Sequence, residues 1–164
     1  MMEPADVTFR TDIAHLGRRN RMSSVFSQII KGELPAHFIW KDDDTVAFLT
    51  IAPLRPGHAL VVPRREVDLW TEAEPELLNG LMAVAQAVGR AQQRAWGAPR
   101  SGLAIAGFEV PHLHVHVTPV WDMSDLDLTK VDLEPDQSAL AESARQLRTA
   151  LRELGHDRTV PMEP

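Results

Sequence analysis

From Pro111 to Val117 the chain alternates imidazole and aliphatic side chains: His112, Leu113, His114, Val115, His116, Val117. Successive side chains on a strand point to opposite faces, so residues of one parity share a face. The pattern predicts a strand over residues 112–118 that turns Leu113, Val115 and Val117 into a core. It also sets three of the chain's seven histidines on one surface.

The flanking segments predict the rest of the sheet and its cover. Residues 37–41 and 45–50 are short and rich in β-branched and aromatic side chains, with the acidic turn Asp42-Asp43-Asp44 between them, a hairpin pattern. Pro53, Pro56 and Gly57 mark a loop before a third strand at 58–62. From 75 to 96 the period changes to 3.6: Leu77, Leu78, Leu81, Met82, Ala85 and Val88 form one stripe, and Gly97 ends it. A further strand is predicted at 102–106. A short helix carries Phe26, Ile29 and Ile30, and stops at Gly32. A last helix, roughly 136–154, carries Leu140, Leu147, Leu151 and Leu154. Strands flanking one long helix predict an α+β fold with an antiparallel sheet. The division expected is a flexible leader over 1–21, a main domain over 22–121 and a C-terminal extension over 122–164. Met22 is a candidate start of translation.

The 164 residues are 44% hydrophobic and 24% charged, with no cysteine, so disulfides and Cys-ligated metals are excluded. The net charge of −6 argues against a nucleic-acid backbone or an anionic membrane as partner, since both need a basic face. Arg18-Arg19-Asn20-Arg21 lacks the apolar block of an export signal after it. A cytoplasmic protein is expected.

The three histidines admit three readings. One is a solvated face that uses imidazole. A second is a metal site, although neighbours on one strand face lie about 6.6 Å apart, which strains three ligands on one ion. The third is phosphoryl or nucleotidyl transfer, where a neutral imidazole attacks and its flanking partners hold phosphate oxygens or pass a proton. The third explains the spacing best, with His114 central. Activity of that kind is expected to fall below about pH 6, as an imidazolium cannot attack phosphorus.

His-Leu-His-Val-His-Val-Thr resembles the signature of the histidine triad (HIT) superfamily. Val25–Ala36 resembles the opening helix and turn of that family, and Asp42–Leu49 and Pro56–Pro63 its next two blocks, so the resemblance spans about residues 24–121. It implies a five-stranded antiparallel sheet with one long helix, a short N-terminal helix and a C-terminal helix. It also implies a homodimer, a purine nucleotide or nucleoside phosphoramidate as ligand, and no cofactor. By position, His114 is the implied nucleophile, His116 the phosphate contact, and His112 with His58 the groups that orient it and relay a proton. Phe26, Ile29, Phe48 and Ile51 match the base and sugar pocket, with ordinary core as the competing reading. Gly107 and Glu109 lie in the loop that meets the phosphate, Glu109 through its backbone N–H.

The chain departs from the family pattern at several places. Ser24 and Ser27 replace a Cys-x-x-Cys that helps bind structural zinc in many relatives, and hydroxyls are poor substitutes for thiolates. Thr50 replaces the Asp that holds the ribose hydroxyls. Phe108 replaces a Gln, and the loop before the triad has no Asn. The expected function is release or transfer of a nucleoside monophosphate from amidates, esters or dinucleoside polyphosphates through a nucleotidyl-histidine. The alternative is a nucleotide-binding or protein-interaction module with little or no turnover.

Overall fold

The computed structural model describes residues 23–162. The expected leader over 1–21 and the candidate start at Met22 lie outside the described residues. Helix α1 is Val25–Ile30 and is followed by strands β1 (Phe38–Lys41), β2 (Thr45–Leu49) and β3 (Ala59–Pro63). Helix α2 is Pro75–Trp96, strands β4 and β5 are Arg100–Ala104 and Val115–Val120, and α3 is Gln137–Glu153. All pairings in the sheet are antiparallel, in the order β1-β2-β3-β5-β4. The α+β architecture is the one the sequence predicts.

Local chemistry explains the joints. The Asp42 carboxylate accepts from the N–H groups of Asp44 and Thr45 at 2.9 and 2.7 Å, which closes the β1–β2 hairpin. Ser24 caps α1 by accepting from Ser27 N–H, and Asp136 caps α3 by accepting from Ser138 N–H. Pro75 opens α2, and Gly97 closes it in the left-handed region at φ +64°.

Every position of β2 and β3 is buried, so the centre of the sheet is covered on both faces. On one face Ile39, Ala47, Val61, Val115 and Val117 pack against Leu81 and Val88 of α2 and Leu147 and Leu151 of α3. The C-terminal helix therefore belongs to the same core as the sheet. On the other face Phe26, Val46, Phe48, Leu60 and Val62 form a second, smaller cluster closed by α1. Among the described residues no helix is long and apolar enough to cross a membrane.

Two polar features fix where β3 enters the sheet. Gln92, fully buried on α2, donates to the carbonyls of Gly57 and Val117, both at 2.9 Å. Gly57 adopts φ +84°, and a Cβ added there would overlap the Trp96 ring.

The strand expected at 112–118 begins only at Val115. Leu113 N–H bonds to the carbonyl of Val67 rather than to a sheet neighbour, so His112 and His114 sit on an approach segment outside the ladder. The strand expected at 102–106 is shifted to Arg100–Ala104, where Leu103 and Ala104 pair with Val117 and His116.

Gly57→Ala is expected to destabilise the fold by about 3 kcal/mol, from a left-handed backbone on a residue with a Cβ and from overlap with Trp96. Urea unfolding followed by tryptophan fluorescence measures it.

Candidate active site

Register places the catalytic-type side chains. Leu60 pairs with His116 and Ala59 with Val117, so His58, just before β3, comes beside His116. The two rings bond, with His58 Nε2 3.0 Å from His116 Nδ1. His58, His112 and His114 are buried, and His116 is half-buried.

Hydrogen-bond partners assign a tautomer to each ring. Leu54 N–H donates to His58 Nδ1 at 3.1 Å, so His58 carries its proton on Nε2 and donates it to His116 Nδ1. His116 then carries its own proton on Nε2. His114 Nδ1–H donates to the carbonyl of His112 at 2.7 Å, which leaves the lone pair on His114 Nε2. His112 Nε2–H donates to the carbonyl of Pro63 at 2.8 Å, and the Ser24 hydroxyl donates to His112 Nδ1 at 2.7 Å.

Burial keeps the four rings neutral. It lowers His58 to about 3, helped by the neighbouring His116, and His116 to about 4, helped by His114. His112 and His114 are also lowered from their ordinary value, chiefly by burial, with backbone hydrogen bonds opposing. The Nε2 lone pair of His114 thus persists further into acid than that of an ordinary imidazole.

His114 and His116 open onto a cleft of about 250 Å³. Of the residues singled out from sequence, His58, Thr50, Gly107 and Glu109 also line it. Thr50 Oγ1 accepts from Ala52 N–H at 3.2 Å, which leaves its proton available to a ligand. Glu109 is the one charged side chain among the lining residues, and its carboxylate raises the His114 pKa slightly against the effect of burial.

The other sequence-selected residues lie elsewhere. His112 is sealed beneath the cleft, and its carbonyl rather than its ring bears on His114. His112 faces the same side as His114, since Phe26 packs against both rings, but Ser24 and Phe26 cover it, so only His114 and His116 of the three open onto the cleft. Phe26 and Phe48 are buried edge-to-face at 5.6 Å, with Ile29 packed beside them in the second core. Ile51 is 80% exposed. None of these four lines the cleft. Phe26 instead meets the His114 ring edge-on at 4.9 Å and supports it from behind.

Sequence reasoning missed the far wall. Leu128, Val131 and Leu133, from the segment between β5 and α3, line the cleft together with Ala52, Ala106 and Phe108. The available signal was three apolar residues spaced along an otherwise polar stretch.

A family model described as the HIT domain matches residues 31–123. The chain belongs to the HIT family. It is 36% identical over 138 residues to an uncharacterised HIT-like protein of Mycobacterium tuberculosis, covering 79% of this chain and 94% of that one. It is 34% identical over 104 residues to an asymmetrical bis(5'-nucleosyl)-tetraphosphatase of Schizosaccharomyces pombe, covering 59% of this chain and 57% of that enzyme. The crystal structure of a Zn-bound histidine triad family protein from Mycobacterium smegmatis superposes with a TM-score of 0.69 at 32% identity, covering 83% of this chain and 98% of that one.

Around α1 this HIT chain offers no thiolate. Ser24 hydrogen-bonds to His112, and the Ser27 hydroxyl donates to the Glu66 carboxylate at 2.6 Å. Two hydroxyls, one carboxylate and one imidazole whose lone pair is already used make a poor tetrahedral zinc set. The cluster is a hydrogen-bonded brace between α1, His112 and the segment after β3.

The depressed imidazole pKa values fix the sign of a stability effect. Between pH 6.5 and about 4 the unfolded chain takes up protons that folded His58 and His116 refuse, so stability falls as pH falls. The urea midpoint is expected to drop between pH 7 and 4.5. A constant midpoint over that range would mean the rings are not held neutral.

Proposed function

We propose that this HIT protein releases a nucleoside monophosphate from a phosphoramidate, ester or dinucleoside polyphosphate in two displacements at His114 Nε2. The observation that carries the reading is the 2.7 Å bond from His114 Nδ1–H to the His112 carbonyl, which puts the lone pair on the nitrogen facing the cleft. In the first step Nε2 bonds to the α-phosphorus and the bond to the leaving group breaks. The leaving group departs with the electron pair and takes a proton from water in the cleft. The imidazolium so formed keeps its Nδ1–H on the His112 carbonyl, which stabilises the positive charge. In the second step water bonds to phosphorus and the P–Nε2 bond breaks. Nε2 recovers its pair, and a proton returns to solvent.

His116 Nε2–H serves as donor to a phosphoryl oxygen, polarised through Nδ1 by His58. His112 acts by orientation, since its own ring nitrogens are both engaged. The name of the S. pombe relative supports a nucleotidyl substrate class. The homodimer and the cytoplasmic setting belong to the same reading, on family resemblance and composition.

Mass spectrometry after brief mixing with adenosine 5'-phosphoramidate is expected to detect an AMP adduct on His114. His114→Ala is expected to abolish it and to lower turnover by about 10⁴-fold. AMP binding without adduct or turnover would favour the binding-module reading instead.

The pH profile is a separate check. Because burial lowers His114, the acid limb of kcat/KM is expected to have its midpoint below 6.5. A rate that climbs steadily into acid would contradict attack by neutral imidazole.

A further inference from the structure

The hydrogen bond between His58 and His116 can run in either direction. With the proton on His58 Nε2, His58 donates to His116 Nδ1 and leaves His116 an Nε2–H for the cleft. With the proton on His116 Nδ1, the same 3.0 Å contact survives with the roles exchanged, and His116 Nε2 becomes a lone pair. A lone pair there repels the phosphoryl oxygen that an N–H would bind. Which nitrogen keeps its proton is set by the bond that the other nitrogen makes.

The contact that breaks the symmetry is Leu54 N–H, 3.1 Å from His58 Nδ1. Leu54 belongs to the loop between β2 and β3, so no strand ladder holds that N–H in place. The next residue does. Arg55 donates to the Asp125 carboxylate from Nε at 2.6 Å and also from Nη2. The Arg55 carbonyl accepts from His58 N–H at 3.0 Å, closing a turn with Pro56 and Gly57 at its centre, the residues such a turn favours. Arg55 thus fixes the chain on both sides of the ring that Leu54 serves.

Asp125 is itself anchored. It is 4% exposed, and its second oxygen accepts from Trp121 N–H at 2.8 Å, one residue past the end of β5. Trp121 N–H first, with Arg55 beside it, holds the Asp125 carboxyl below its ordinary value against the effect of burial. The ties close a circuit: β5 carries His116, its end holds Asp125, Asp125 holds Arg55, and Arg55 sets the loop whose Leu54 N–H faces His58.

We propose that Arg55 and Asp125 are positioning residues that keep Leu54 N–H on His58 Nδ1 and so fix His116 as a donor to the phosphoryl group. The phosphate role rests on the nucleotidyl reading of His114, whereas the tautomer of His58 is measurable without any substrate.

The test is nitrogen NMR of the full chain with isotope-labelled histidine, which separates protonated from unprotonated ring nitrogens, beside kinetics on adenosine 5'-phosphoramidate. In Arg55→Ala the two His58 nitrogen signals are expected to move toward each other, as a tautomer mixture requires. Its kcat is expected to fall about tenfold at a KM within about twofold of the parent. Asp125→Asn, which leaves no buried charge behind, is expected to give the same shift, and Arg55→Lys to regain most of the parent's signal. Arg94→Ala, which removes the exposed pair with Glu153, is expected to match the parent in both readouts. A His58 that keeps its proton on Nε2 in both Arg55→Ala and Asp125→Asn would overturn the proposal even if turnover fell. The tautomer shift in the variants of a chain that shows no turnover would support the positioning and overturn the His114 chemistry.

Discussion

The pairing of β3 with β5 is the constraint on which the site depends. Three residue pairs, Ala59 with Val117, Leu60 with His116 and Val61 with Val115, set His58, just before β3, against His116 of β5. A shift of one residue would turn His116 into the aliphatic core and Val115 or Val117 into the cleft. Gln92 reinforces that register from the helix side, because its one amide nitrogen reaches the Gly57 carbonyl just before β3 and the Val117 carbonyl within β5. The imidazoles then have little choice: buried among apolar groups, each must find a partner, and the partners determine where the protons sit.

Much of the fold could be read from the chain. Alternation at 112–117 and the 3.6-residue stripe of α2 are strong periodic signals, and both elements exist. The start of β5 was not legible, because the sequence pattern continues past the point where the backbone stops pairing. Leu113 faces the core whether or not its N–H bonds to a strand, so its burial gives no sign that the bond goes to Val67.

The histidines that meet at the cleft were legible in the chain, its surroundings less so. His58, His114, His116, Thr50 and Glu109 come together as expected. Phe26 and Phe48 satisfied both a pocket and a core pattern, and their mutual edge contact places them in the core. Glu66 and the Leu128–Leu133 segment had no motif to announce them. Their roles come from long-range contacts, such as Ser27 with Glu66 and Arg55 with Asp125, between residues far apart in sequence. Ser24 and Ser27 support the triad from the α1 side. Hydrogen bonds from Ser24 to His112 and from Ser27 to Glu66 tie α1 to the triad and to the segment after β3.

The far wall of the cleft lies downstream of the triad, and α3, which shares the main core, lies further downstream still. On a ribosome, the histidines emerge before the residues that enclose them. The cleft therefore has its full lining only once the segment after β5 has docked on the β2–β3 loop.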